Sequence, residues 1–465
     1  MKDKSFIINK FLRSRFTSGF TIFAVILLST LIFAIGQACS ASKPLLTLDK
    51  ALELGNENNP VISATYKKVT QYEERLNQAK AGQYPSIVAR MAYQQTGEEP
   101  KLPVYDATPG NTETPYYAKN GFRETWKAAL EMSWLVYSGG TVKYNVQAKE
   151  LALDSVKAEA QRTFQGVENS IYTAWYELQR AKARLEVAKE ALELAKAHLR
   201  RVVLFYENGV VAKNQVLRAK VEVSDSELKR IKATNAVNVA WSALERAIGV
   251  SVKERFTLPE TGKSIEDINI PEDPESIALK NRPELTALEK SRLSALAMSR
   301  SATGAGGPQV ALKAEAFKVD DEFFPDMQDD WRISIAAEWE LFDGGESSAK
   351  AGEAKAAAEE VLYKIEDLEK QISLEISTAI MNLQSSIKRV SVAEKQVTSA
   401  EEDYRMEMKR YQAQVGTNID VLDSRVALVN ARNQLADSVY DAHRAHADLL
   451  YAMGRKPGLS GSDWN

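Results

Sequence analysis

Between residues 345 and 413 the chain carries nearly seventy residues of helical pattern without a proline. At ~1.5 Å per residue, one helix of that length is roughly 100 Å long, several times the width of an ordinary domain. Apolar residues recur at Val361, Ile365, Leu368, Ile372, Ile376, Ile380, Leu383, Ile387, Val390, Val397, Tyr404, Met408 and Tyr411, mostly in steps of three and four, with Glu394 and Glu401 filling the two gaps. This is the short period of supercoiled helices. A second proline-free run of nearly equal length lies between 140 and 208, and each run follows a tryptophan-containing strand pattern and a Gly-Gly pair. A globular core has no use for such rods.

The strand patterns are as specific. Trp126, Ala128, Leu130, Met132, Trp134 and Val136 share one face, opposite Lys127, Ala129, Glu131, Ser133 and Leu135. The pattern returns at Trp331, Ile333, Ile335, Ala337, Trp339 and Leu341, opposite Arg332, Ser334, Ala336, Glu338 and Glu340. Strands of about 9 to 11 residues with aromatic ends, apolar on one face and charged on the other, match a membrane barrel with a wet lumen. An edge of a soluble antiparallel sheet is the plainer alternative. A further period-two run, Ile87, Ala89, Met91 and Tyr93, follows Pro85, and the Pro-, Gly-, Thr- and Asn-rich segment 96–120 reads as a long exposed loop.

The second half repeats the first. Trp134 and Trp339, Tyr206 and Tyr411, Leu217 and Leu422, and Gly249 and Gly454 are each 205 positions apart, while Pro60 with Pro283 and Pro85 with Pro308 are 223 apart. The expected organisation is a first repeat over 45–250 (β-hairpin 86–137, long helices 140–208 and 214–248), a linker or equatorial segment over 251–283, a second repeat over 284–455 (β-hairpin 308–342, long helices 345–413 and 418–453) and a tail over 456–465. Ahead of these, Lys2, Lys4, Lys10, Arg13 and Arg15 precede an apolar run from Phe20 to Ile35 and a small-x-small site, which reads as a signal peptide over 1–38. Cys39, the sole cysteine, follows Ala38 and is a candidate for lipidation, although Gly36 stands where the usual lipoprotein signal has leucine. A net charge of −3 without a basic block beyond the N-terminus gives no reason for a nucleic-acid partner.

Four strands cannot close a membrane barrel, and an open sheet would leave unsatisfied edges in hydrocarbon. Three copies supply twelve strands, and the same copies supply the helices of an aligned tube. The far ends of the rods are sharp turns. In one, Gly209 suits a left-handed helix end and Asn214 the next N-cap; in the other, Gln414 stands where the first repeat has Gly209, so Gly416 is expected to make the reversal, with Thr417 or Asn418 as cap.

The duplicated plan, the Asn-Pro near the first helix, the Trp-to-Gly-Gly junctions and the tyrosine-to-Val-Leu turns together resemble the TolC family of outer-membrane efflux proteins, over nearly the whole chain from about Thr47 to Lys456. The resemblance implies an α+β membrane protein: a homotrimeric channel-tunnel with a 12-stranded β-barrel in outer-membrane lipid, continued by a long α-helical coiled-coil barrel across the periplasm of a Gram-negative-type cell. It implies the exit duct of a tripartite efflux pump, docked by its turns onto a periplasmic adaptor (membrane fusion) protein and through it to an inner-membrane transporter. The docking residues would be Gly209, Val210, Val211, Asn214, Gln215, Val415, Gly416, Thr417 and Asn418, and Trp126, Trp134, Trp331 and Trp339 would mark the barrel's aromatic ends. Asp420 and Asp423 match family acidic residues that ring the closed pore, where six carboxylates would favour cations. Asp420 also has a local explanation, since a first-turn carboxylate complements the helix dipole. The family's arginine near this turn has no counterpart; Asn418 stands in that region, and the turn is two residues shorter than in the best-known member. Gln215 and Arg218 take the equivalent places in the first repeat.

A type I protein secretion duct fits the same plan. A periplasmic adaptor or coiled-coil scaffold would explain the rods but not the Trp-ended strands. His443 and His446 have the spacing of a ligand pair, but with no cysteine or further histidine near them no metal site is expected. No phosphate loop, nucleophile arrangement or acid pair stands out, so neither catalysis nor a cofactor is expected.

Overall fold

The computed structural model describes residues 44–104, 116–254, 256–258, 270–323 and 328–455. The signal segment, Cys39 and the tail 456–465 lie outside them. The elements run α1 (Leu48–Asn58), α2 (Pro60–Ala81), β1 (Ser86–Gln95), β2 (Lys101–Val104), β3 (Tyr116–Lys119), β4 (Glu124–Tyr137), α3 (Thr141–Glu207), α4 (Lys213–Ile248), α5 (Pro274–Asn281), α6 (Pro283–Ala305), β5 (Gln309–Asp320), β6 (Gln328–Glu338), α7 (Glu346–Gln412) and α8 (Asn418–Ala452). Two expectations change. Part of the segment 96–120 forms a small hairpin, β2 paired with β3, and the linker carries α5, capped by Asp273, at the place that α1 holds in the first repeat.

β1, β4, β5 and β6 form one antiparallel sheet in that order. Its register puts the apolar positions of all four strands on one face: Met91 opposite Ala128, Ala89 opposite Leu130, Leu130 opposite Ala316 and Ala316 opposite Trp331. Trp331, Ile333 and Ile335 on that face are 70%, 62% and 74% exposed. The other face carries a charge ladder, with Arg90 on Glu131 at 3.0 Å and Lys127 on Glu315 at 2.5 Å. Trp339, read from the pattern as part of the last strand, lies just past the end of β6. Its indole Nε1 donates to the Gly306 carbonyl at 3.1 Å, as Trp134 donates to Gln83 at 3.0 Å. Both tryptophans thus pin a strand to the helix-to-strand junction of their own repeat. Trp126 lies between Tyr93 and Phe323, each ring 4.6 Å away.

Below the sheet the helices lie four abreast. Nearest the strands, α2 packs on α3, α3 on α6 and α6 on α7; farther down, α4 packs on α3, α3 on α8 and α8 on α7. Two equatorial cores sit midway. Ile171, Leu178, Leu244 and Ile248 fill one, and Ile376, Leu383, Leu449 and Met453, each 205 positions on, fill the other. Gly249 and Gly454 end α4 and α8 with φ of +94° and +69°. A Cβ on Gly249 would meet the Asn58 carbonyl oxygen at 2.7 Å, so glycine is required there both for the left-handed backbone and for the approach of α1. Beside the second core the buried Arg282 bonds Glu375 at 2.7 Å, and Arg162, reaching across from the first repeat, bonds Glu284 at 2.6 Å while lying 3.6 Å over the Tyr451 ring. These pairs tie α3, α6, α7 and α8 together at the equator.

Candidate functional site at the helical tips

Two helix pairs, α3–α4 and α7–α8, turn back at the end of the rods away from the sheet. In the first turn Gly209 has φ +74°; its N–H donates to Tyr206 O at 2.9 Å and that of Val210 to Phe205 O at 2.8 Å. This satisfies carbonyls that the helix end would otherwise leave open. α4 then starts after Ala212, which offers no side-chain cap. Asn214, expected as the cap, lies inside the first turn instead.

The second turn differs at each of these points. Gln414, not Gly416, takes the left-handed conformation, with φ +63°, and it is the sole non-glycine residue among those described with a positive φ. Gly416 is closely packed: a Cβ there would lie 3.0 Å from Arg410 Cβ and 3.1 Å from Tyr411 N, so its neighbours would have to give way by a few tenths of an ångström. Thr417 caps α8 reciprocally with Asp420: Asp420 N–H donates to Thr417 Oγ1 at 3.2 Å and Thr417 N–H donates to Asp420 Oδ2 at 3.0 Å. These bonds from Thr417 hold the Asp420 carboxyl below its ordinary pKa. Asp423 is exposed one turn further along the same helix face. Val210, Val415 and Ile419 are exposed at the extreme ends, whereas Val211 packs on the tip core of Val202, Val216, Ala219, Tyr411 and Val421.

Behind this core lies a buried polar junction between the two hairpins. His198 of α3 meets Asn418 of α8, with ring Nε2 2.6 Å from Oδ1. Arg425 of α8, 2% exposed, forms an ion pair with Glu222 of α4. Tyr411 Oη donates to Gln215 Oε1 at 3.4 Å and Arg201 NH1 reaches Met408 Sδ at 2.9 Å. Burial, with Arg425 and Arg201 nearby, lowers the His198 pKa despite the bond to Asn418. Sequence reading missed this junction. The available signal was Arg425 in the apolar row of Val421 and Leu428, a seam position where arginine is out of place without a partner. His443 stacks on Tyr176 with centroids 5.1 Å apart and planes 2° from parallel. Among the described residues no group of three His, Cys, Asp or Glu side chains is arranged to hold a metal ion.

The family model described as "Outer membrane efflux protein" matches residues 51–250 and 276–455. The chain is 21% identical to Nodulation protein T of Rhizobium leguminosarum bv. trifolii over 427 residues, 88% of this chain and 85% of that one. It is 23% identical over 292 residues to the alkaline protease secretion protein AprF of Pseudomonas aeruginosa, 58% of each chain. A solved structure of CusC, at 18% identity, superposes with a TM-score of 0.75 over 88% of this chain and 92% of that one.

Proposed function

The chain belongs to the outer membrane efflux protein family, a family of outer-membrane channels, and from that premise we propose that it is the exit duct of a tripartite efflux pump, working as a homotrimer. The observation that carries the trimer is that both layers of the protomer are open on the same two sides. β1, α2 and α4 form one edge, and β6 and α7 form the other. Each edge has unsatisfied surface. α7 bears Tyr363, Leu374, Met381, Val392 and Met406, and α4 bears Leu217, Val221, Leu228, Ile231 and Val239, all between 48% and 70% exposed. The α7 stripe steps by 11, 7, 11 and 14 positions, the repeat of a continuous helix seam. Different edges meeting head to tail close a ring, and three copies give a 12-stranded barrel with its apolar face in lipid and its charge ladder in the lumen. Crosslinking a cysteine pair placed on β1 and β6 should yield covalent trimers; dimers alone would sink this assembly.

The tips are the surface offered to a periplasmic adaptor, which links them to an inner-membrane transporter, and Asp420 and Asp423 ring the pore. Exposed Val210 and Val415 test docking more cleanly than Val211 or Gly416, which are built into the fold. Val210→Glu with Val415→Glu should abolish adaptor crosslinking in cells and leave the trimer intact. Asp420→Ala with Asp423→Ala should enlarge single-channel conductance in planar bilayers or abolish its cation selectivity. The likeness to AprF supports a second reading, a protein secretion duct. Sensitivity to small toxic compounds in a deletion strain, with secretion unchanged, favours the pump.

A further inference from the structure

Resting on the reading of α8 as the pore helix, we infer that His198, Asn418, Arg425 and Glu222 form an acid-sensitive latch that holds the α7–α8 hairpin against the α3–α4 hairpin. A neutral imidazole has one N–H, and the 2.6 Å approach of Nε2 to Asn418 Oδ1 uses it as a donor. Nδ1 is left buried without a partner, on a residue that is 3% exposed. That nitrogen is where a proton would add.

Every element packed round the ring contributes to the outcome. α3 brings Arg201 and α8 brings Arg425, both cationic; α4 brings Glu222, already paired with Arg425; α7 brings the neutral Tyr411, its ring 5.5 Å away, and Tyr404, whose phenol lies near both arginines. Protonation therefore places three cations around one carboxylate, with the imidazole and the Arg425 guanidinium both buried. Parting the hairpins relieves this by hydrating the imidazolium. Asn418 is the first residue of α8 and Arg425 lies two turns on, so the junction clamps the stretch that carries Asp420 and Asp423. His198 is thus a positioning residue for the pore.

The sign follows from linkage. The closed junction disfavours the protonated ring and the parted one does not, so acid favours parting. The equilibrium moves by up to about tenfold per pH unit for each protomer, below the ordinary histidine value of ~6.5. Single-channel conductance of the trimer in planar bilayers, followed from pH 7.5 to 5.0 with symmetric salt, tests this. Wild type should show long-lived high-conductance openings that grow in frequency below about pH 6.5. His198→Gln keeps a donor for Asn418 and cannot titrate in this range, so its openings should be independent of pH. Glu222→Gln should raise the opening frequency at pH 7.5, because Arg425 then lacks its counter-charge. An acid response equal in wild type and His198→Gln, or none in wild type, overturns the latch. If Asp420→Asn with Asp423→Asn leaves selectivity unchanged while His198→Gln abolishes the acid response, the latch stands and the carboxylate ring falls. If selectivity changes but the acid response survives in His198→Gln, the ring stands and the latch falls.

Discussion

At the end of α3 the backbone reverses through Gly209, with no heavy atom within 4 Å of its missing Cβ, and α4 begins without a side-chain cap. At the end of α7 the reversal is made by Gln414 at φ +63°, and α8 begins with a reciprocal Thr417–Asp420 cap. The equatorial cores of the two repeats are filled from the same positions at a spacing of 205, by Ile171, Leu178, Leu244 and Ile248 in one and by Ile376, Leu383, Leu449 and Met453 in the other, whereas the tips at the same spacing differ in both devices. The second tip is also anchored from behind, through Asn418 and Arg425. One hairpin end is therefore loosely finished and presented outward, and the other is fixed in place, with a strained residue followed by a closely packed glycine and a helix cap.

Breaking the anchor should have the largest effect. Glu222→Ala leaves Arg425 buried and unpaired, which costs roughly 3–5 kcal/mol; limited proteolysis should then cut the α7–α8 turn before the α3–α4 turn. Next comes the equator, where Gly249→Ala is strained by both φ and the Asn58 carbonyl and should lose roughly 1–3 kcal/mol in thermal unfolding. The tips can then be exchanged. Ala212→Ser should gain about 1 kcal/mol by capping α4, and Thr417→Ala should lose about as much from α8; either change alone should make helix-end protection measured by hydrogen exchange more alike in the two hairpins, and both together should reverse its order. The smallest effect is on pH. Because the folded Asp420 pKa is depressed, its contribution is present above the ordinary carboxylate value of ~3.9 and is lost as pH falls through the folded value. Exchange protection of the first turn of α8 should drop in strong acid while that of α4 stays level.

The rods and strands were legible because their periods are long and clean, and the spacing of 205 that relates Tyr206 to Tyr411 and Gly249 to Gly454 also relates Leu178 to Leu383 and Leu244 to Leu449 in the two equatorial cores. The turns were legible in place but not in mechanism. Gly416 was read as the reversal because glycine tolerates positive φ, yet its role is to let the chain pass Arg410, and Gln414 bears the strain. Asn214 has the chemistry of a cap but sits two residues late. α5 was hidden by Pro271 and Pro274, although Pro274 is compatible with a first helical turn. The junction of His198 with Asn418 joins residues 220 positions apart, and no local pattern reports a contact between two hairpins.

The height of the equatorial cores on the rods has a mechanical consequence. Ile376 lies in such a core, and α7 runs on to Gln412, an arm of about 54 Å at ~1.5 Å per residue. A rotation of about 5° about that fulcrum carries the turn sideways by roughly 5 Å, while atoms about 5 Å from the pivot move by only about 0.4 Å, less than the root-mean-square displacement that an ordinary crystallographic B-factor describes. Such a rotation would shift the tips by several ångströms while the waist stays packed, in the way that a pair of long tongs opens on a barely moving rivet.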